Sequence, residues 1–287
     1  MKQKLLATLF YILPHHAITR LMFAAAHVRW RPLKNFIIRS YTYFNPVKMH
    51  EAIEQDMFAY PSLNAFFTRA LKPECRPFDD NTDNWLCPVD GSVSQAQAIR
   101  GGRVFQAKGH DYSLLDLVGG DKTLAAAFHN GTFATLYLSP RDYHRIHMPT
   151  TGTLKHMQYI PGRLFSVAPF TVNHIPGVFA RNERCVCYFE TAQGPMAMIL
   201  VGAINVSAME TVWHGLITSE AKKIKRFDYH DKNITLKRGD EMGRFNLGST
   251  VIVLTTEQMK IDENIIEGAE IKLGQRLALP TAKPTTN

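Results

Sequence analysis

Along residues 1–44, apolar positions come in short clusters broken by basic ones. Leu5, Leu6, Leu9, Phe10, Ile12 and Leu13 follow Lys2 and Lys4, and Leu21 to Ala26 lie between Arg20 and Arg29. Neither cluster approaches the roughly 20 apolar residues that cross a bilayer. Pro14-His15-His16 stands where a signal peptide would offer a small-residue cleavage site. The pattern fits amphipathic helices lying among lipid headgroups, with Trp30, Tyr41 and Tyr43 as interfacial aromatics. A basic helical pair packed on its own domain is the alternative.

From Glu51 onward the pattern is that of a folded domain, 51–287. Ser62 can cap a short helix carrying Phe66, Phe67, Ala70 and Leu71, which Pro73 ends. Leu114 to Val118 and Leu124 to Phe128 read as further short helices. β-Branched and aromatic runs then predict strands over Thr132 to Leu138, Leu154 to Ile160, Cys185 to Phe189, Met196 to Val201 and Val251 to Leu254. The expected fold class is α+β, a β-rich sandwich or barrel-like core with N-terminal amphipathic helices. An internal repeat supports the β assignment: Leu236 to Gly243 aligns with Ile271 to Ala278, each a strand, a glycine turn and a strand. The tail from Pro280 lacks the apolar content to pack.

Charge changes the picture at the N-terminus only. Residues 1–50 hold eight Lys or Arg and no acid, so the first carboxylate is Glu51 and the formal charge of +8 belongs to this arm. A basic arm suits an anionic membrane or nucleic acid. Its amphipathic pattern selects the membrane, and a peripheral place on the cytoplasmic face of the cell membrane. Four cysteines at these spacings do not make a disulfide framework. Cys185 and Cys187 read as packing residues on one strand face, and no metal site is expected.

The candidate chemistry lies in three places. Gly248-Ser249 opens the last strand, where a glycine without Cβ lets another group approach its carbonyl. Ser249 is therefore placed to attack that carbonyl if a base removes its proton. Between two strands, Ser139 to Pro149 carries His144 and His147, with Asp142 nearby. Asp90 sits at an Asp-Gly turn. Together Asp90, His147 and Ser249 have the composition of a charge-relay triad, which also fits a serine hydrolase acting on an external ester or amide. A membrane-binding module in which Gly248-Ser249 is only a turn is the remaining alternative.

The segments P-V-D-G-S-V at 88–93, L-S-P-R-D-Y-H-R-I-H-M-P at 138–149, P-G-R-L-F-S-V at 161–167, F-A-R-N-E-R at 179–184, I-L-V-G-A at 199–203 and G-R-F-N-L-G-S-T at 243–250 decide among these. In that order, from about Pro61 onward, they resemble the bacterial phosphatidylserine decarboxylase family. The resemblance implies a proenzyme that cuts itself between Gly248 and Ser249, with Asp90 and His147 activating Ser249. Ser249 then becomes a covalent pyruvoyl cofactor (pyruvate), which forms a Schiff base with phosphatidylserine and yields phosphatidylethanolamine for phospholipid biosynthesis. Fragments 1–248 and 249–287 would stay together as a heterodimer, alone or dimerised further. Removing CO2 from an amino acid leaves a carbanion, and no ordinary side chain is a sink for it, so a supplied carbonyl is what the chemistry needs. The three-residue spacing of the histidines divides their work: His147 serves maturation, and His144 serves the decarboxylation cycle as a proton donor.

Overall fold

The computed structural model of the chain describes residues 14–107, 109–204, 208–218, 223–246 and 249–281. The cluster from Leu5 to Leu13, Gly248 and most of the tail after Pro280 lie outside these residues. Helices α1 (His15–Ala26) and α2 (Arg31–Phe44) form the N-terminal arm. Pro32 falls in the first turn of α2, where its missing N–H costs nothing. The inner side of α2 carries Lys34, Ile38 and Tyr41. Lys34 is buried and its Nζ donates to the carbonyls of Phe58 and Tyr60, both at 2.7 Å. Ile38 joins Ala26, Leu63, Phe66 and Phe67 in a small apolar cluster, so the arm packs across residue 50 onto the segment that follows. On the outer side, Phe36 and Phe44 are 68% and 77% exposed, and Trp30 just before the helix is 69% exposed. Such large apolar residues turned to solvent along one side of a helix mark a docking face.

Helix α3 (Leu63–Phe67) starts as its cap dictates, the Ser62 hydroxyl accepting from the Ala65 N–H at 3.2 Å. It stops short of Ala70 and Leu71, because those residues pair with Ala52 and Ile53 instead. The body then runs through β1 (Trp85–Leu86), β2 (Gly91–Ala98), the hairpin β3 (Arg103–Ala107) and β4 (His110–Ser113), α4 (Leu114–Leu117) and α5 (Lys122–Ala127). Next come β5 (Thr132–Leu138), β6 (Arg145–His147), β7 (Gly152–Ile160), α6 (Pro169–Val172), α7 (Val178–Arg181), β8 (Arg184–Thr191) and β9 (Gly194–Val201). The chain ends with β10 (Ala208–Thr211), β11 (Gly215–Thr218), β12 (Lys225–Asp228), β13 (Thr235–Leu236), β14 (Glu241–Phe245), β15 (Ser249–Thr255), β16 (Met259–Ile261), β17 (Glu270–Ile271) and β18 (Arg276–Pro280).

The main sheet has nine strands in the order β12-β7-β8-β9-β15-β5-β2-β17, with β13 also paired to β7, and its ladders are antiparallel. Strand β15 lies in the middle. Both of its faces are covered, which is why Val251 to Leu254 form an unbroken apolar run and not an alternation. One face carries the short helices: Arg184 donates to the Leu117 and Asp116 carbonyls, and Gln158 to that of Val118. The opposite face, which holds Cys185, Cys187 and Phe189, packs on a four-stranded sheet, β11-β10-β14-β6, through contacts such as Trp213 against Phe189. A three-stranded sheet, β1-β18-β16, completes the stack. Sheets are layered on sheets, and no barrel closes among the described residues.

The internal repeat is a matched pair of turns and extends further than the sequence alignment. Gly239 donates to the Met148 carbonyl while Met148 donates to that of Asp240; Gly274 and Gln275 make the same pair of bonds with Cys87. Both glycines have positive φ, 86° and 91°, where a side chain would be strained. The two halves also bond to each other, Leu86 N–H to the Pro149 carbonyl and His147 N–H to that of Pro88, each at 2.9 Å. In this arrangement Asp90 and Thr151 are counterparts. The Asp90 carboxylate accepts from the Leu273 N–H, and the Thr151 hydroxyl from the Arg238 N–H.

Candidate active site

The sheet register fixes what surrounds Ser249. Arg184, Val201, Thr250, Tyr137 and Ser92 form one row across five strands. One residue further out, Ser249 pairs with Leu138, and the Gly202 N–H donates to the Glu183 carbonyl at 2.8 Å. Ser249 thus heads a central strand whose neighbours end on either side of it. The incoming chain is held in place just before it. Phe245 N–H donates to the His144 carbonyl, Asn246 N–H to that of Ala208, and the Asn246 side chain accepts from Asn64. The expected scissile bond, with Gly248 and the Ser249 side chain, lies outside the described atoms.

His144 is fully buried, its ring against Phe67 at 3.9 Å between centroids. Its Nδ1 lies 2.9 Å from the Asp142 carbonyl, which can only accept, so Nδ1 carries the proton and Nε2 a lone pair. That Nε2 is buried with no hydrogen-bond partner among the described residues. Burial pushes the imidazole pKa down to about 3. His144 is therefore neutral at physiological pH and begins as a proton acceptor.

His147 has the same tautomer for a similar reason. Nδ1 donates to the Gly239 carbonyl at 2.8 Å, and Nε2 accepts from the Tyr143 hydroxyl at 3.0 Å. Burial lowers its pKa, while the Gly239 carbonyl and the charges of Glu241 and Asp90 oppose that shift. The structure corrects one expectation here. Asp90 does not orient His147 through a hydrogen bond; the Gly239 carbonyl does. The Asp90 carboxylate instead takes two Arg76 nitrogens, Nε at 2.9 Å and Nη2, and Arg76 also pairs with Glu51. Asp90 acts on His147 as a nearby charge and anchors the turn at Leu273, which follows Ser249 in the chain. The Asp90 turn and β6 are neighbours because of the reciprocal bonds between the two repeat halves.

Four supporting residues carry no motif that points to this role. Tyr143 occupies the basic nitrogen of His147. Arg69, buried, donates to the carbonyls of Arg141 and Asp142 and so fixes the histidine loop, and Tyr41 of the arm bonds the Pro140 carbonyl. The fourth is Arg76. Only the position of Tyr143 within D-Y-H-R-I-H could have drawn attention to it. A cavity of about 460 Å³ opens beside Asp90 and is lined by charges of both signs, with Lys48, Arg69, Arg76, Arg141 and Lys272 set among Glu51, Asp90, Asp142 and Glu270.

Comparison with known proteins gives two matches to family models. Residues 63–279 match the model described as phosphatidylserine decarboxylase, and residues 5–42 match one described as PSD. The phosphatidylserine decarboxylase proenzyme of Pseudomonas entomophila (strain L48) is 51% identical over 284 residues, 98% of this chain and 99% of that protein. The proenzymes of the same name from Alkalilimnicola ehrlichii and Bordetella avium are each 52% identical over 273 residues, 94% of this chain and 94% and 92% of theirs.

Proposed function

The chain belongs to the phosphatidylserine decarboxylase family, and from that premise we propose how its own residues divide the work. It is a carboxy-lyase, made as a proenzyme, that converts phosphatidylserine to phosphatidylethanolamine with a pyruvoyl group formed by self-cleavage. That group supplies the electrophilic carbonyl that takes up the electron pair left by departing CO2. The surroundings of Ser249 suit it: Ser139 Oγ, beside the Leu138 partner of Ser249, and Nε2 of His144, whose carbonyl holds Phe245, are buried polar atoms without partners among the described residues. The serine hydrolase alternative gains no support from the family.

In maturation, His147 Nε2 takes the Ser249 proton, and the serine oxygen attacks the Gly248 carbonyl to shift the peptide to an ester. Asp90 favours the imidazolium that forms, by charge across a short gap and not by contact. Elimination then releases residues 1–248 with a free carboxylate. The fragments 1–248 and 249–287 stay associated because β15 is paired on both sides by strands of the larger one, β17 with β2, and β18 with β1. In the decarboxylation cycle, His144 Nε2 takes up a proton that the substrate amine loses as it condenses, and delivers that proton to the substrate carbon after CO2 has left. The single observation that carries this division is that Nε2 of His144 is buried and open to a substrate proton, whereas Nε2 of His147 is held by the Tyr143 hydroxyl and serves only once Tyr143 releases it to Ser249.

No helix among the described residues is long and apolar enough to cross a membrane. The arm is proposed to lie on the anionic cytoplasmic face of the cell membrane through the outer side of α2, with its basic residues at the headgroups. Deleting the arm would also strip Ile38 and Lys34 from the fold, so surface substitutions are the cleaner test. Purified enzyme should release CO2 from carboxyl-labelled phosphatidylserine both in detergent and in anionic vesicles. The triple variant Trp30→Ala, Phe36→Ala, Phe44→Ala should mature normally and keep its detergent activity. On vesicles it should bind and turn over several-fold less, with the remainder more sensitive to salt. Absence of CO2 release by the wild type would defeat the decarboxylase reading; an unchanged vesicle rate in the variant would defeat the role of the arm.

A further inference from the structure

Glu183, in the F-A-R-N-E-R segment, is left unused by the proposed mechanism, although both of its neighbours are bound into the fold. The Asn182 amide donates to the Phe165 and Gly202 carbonyls and accepts from the Phe165 N–H. Arg184 turns to the opposite face of the sheet and caps the carbonyls of α4. Between them Glu183 is only 3% exposed, and among the described residues no salt bridge engages it. The titratable group that engages it is Tyr159 on β7, whose hydroxyl opposes the upward push of burial on the carboxyl. A buried carboxylate without a cation is costly and persists where a cation arrives or a proton is exchanged.

Register places Glu183 level with the reacting end of β15. Glu183 continues the β8–β9 ladder beyond Arg184–Val201 and bonds Gly202, as Ser249 continues the β9–β15 ladder beyond Val201–Thr250. Residues level with one another in adjacent strands share a sheet face. Glu183 and Ser249 are therefore two strand spacings apart, about 10 Å between Cα atoms, with Gly202 between them presenting no side chain. A glutamate side chain covers nearly half of that distance.

We propose that Glu183 receives the ammonium group of the substrate and takes one proton from it, delivering a free amine beside Ser249. The inference rests on the decarboxylase reading above. An N–H bond of the ammonium breaks with its electron pair left on nitrogen, an O–H bond forms on the carboxylate, and the ion pair becomes a neutral acid and amine. Only the neutral amine has a lone pair with which to attack a carbonyl. Burial pushes the Glu183 carboxyl up to about 7, which matches it to this exchange at neutral pH.

The test uses Glu183→Gln, which keeps the shape and removes the base. Mass spectrometry of the purified variant should show normal cleavage. At pH 7 its turnover should fall by about 10²- to 10⁴-fold. Capture of phosphatidylserine by borohydride, read as lipid mass added to the 249–287 fragment, should slow in parallel. Both should recover about tenfold per pH unit toward the amine's own pKa, because solution then supplies the free amine. Wild-type capture and turnover in a cleaved variant, or a loss that pH does not restore, would overturn the proposal. Should Glu183→Gln fail to mature, Glu183→Asp is read instead and should mature with intermediate capture and a retained pH profile. Failure of both to mature would assign Glu183 to folding or cleavage and overturn the proposal. A wild type that is not cleaved, or captures no lipid, would count against the decarboxylase reading itself.

Discussion

Ser249→Ala is expected to leave a single uncut chain that releases no CO2 from phosphatidylserine. The substitution removes the hydroxyl proposed to attack the preceding carbonyl, so no ester forms and no chain break follows. Without the break there is no pyruvoyl carbonyl, and decarboxylation loses its electron sink and not merely a rate factor. The fold should survive, since Ser249 is held by backbone pairing to Leu138 at the head of a strand buried over Val251 to Leu254. Unchanged thermal stability together with a single band on a denaturing gel is the expected outcome. Recovery of the 249–287 fragment from this variant would show that cleavage uses another nucleophile.

The second large effect separates the two histidines. His147→Ala should accumulate precursor, because the nitrogen that accepts from Tyr143 is the one proposed to deprotonate Ser249. His144→Ala should instead be cleaved, yet turn over about 10²- to 10⁴-fold more slowly, the usual cost of losing a proton-transfer group. Each substitution also removes a structural contact, His147 from the Gly239 carbonyl and His144 from Phe67. The readout is therefore paired: gel mobility for cleavage, and borohydride capture of lipid for the state reached afterwards. A His144→Ala protein that stays uncut, or one that retains full turnover, would remove the division of labour.

What the sequence made legible follows from how each feature is built. β15 was readable as Val251 to Leu254 because a central strand covered on both faces is a continuous apolar run, and β5 to its end residues from its β-branched and aromatic content. β6, β13 and β17, of two or three residues, leave no period to detect. The glycine turns of the repeat were visible as Gly239 and the Gly274 position, but not their shared bonds to Met148 and Cys87, which are backbone to backbone. The same reason hid the partner of His147: Gly239 offers a carbonyl, 92 residues away, and a carbonyl has no side-chain signature. Asp90 was found as a candidate, yet its pairing with Arg76 and Glu51 was not, since Arg76 sits in an unremarked polar stretch. The burial of Lys34 in the arm was equally hidden, because a lysine in sequence reads as surface. Glu183 became noticeable only when register set it level with Gly202 beside the head of β15.

The account as a whole turns on one bond, and intact-mass analysis of the freshly purified wild-type chain tests it most directly. The expected spectrum contains two species, residues 1–248 ending in a normal carboxylate and residues 249–287 beginning with a pyruvoyl group in place of serine. The smaller species should gain the mass of one lipid amine on reduction with phosphatidylserine present. A single species with the full mass of the chain, unaltered by borohydride and lipid, would contradict the account.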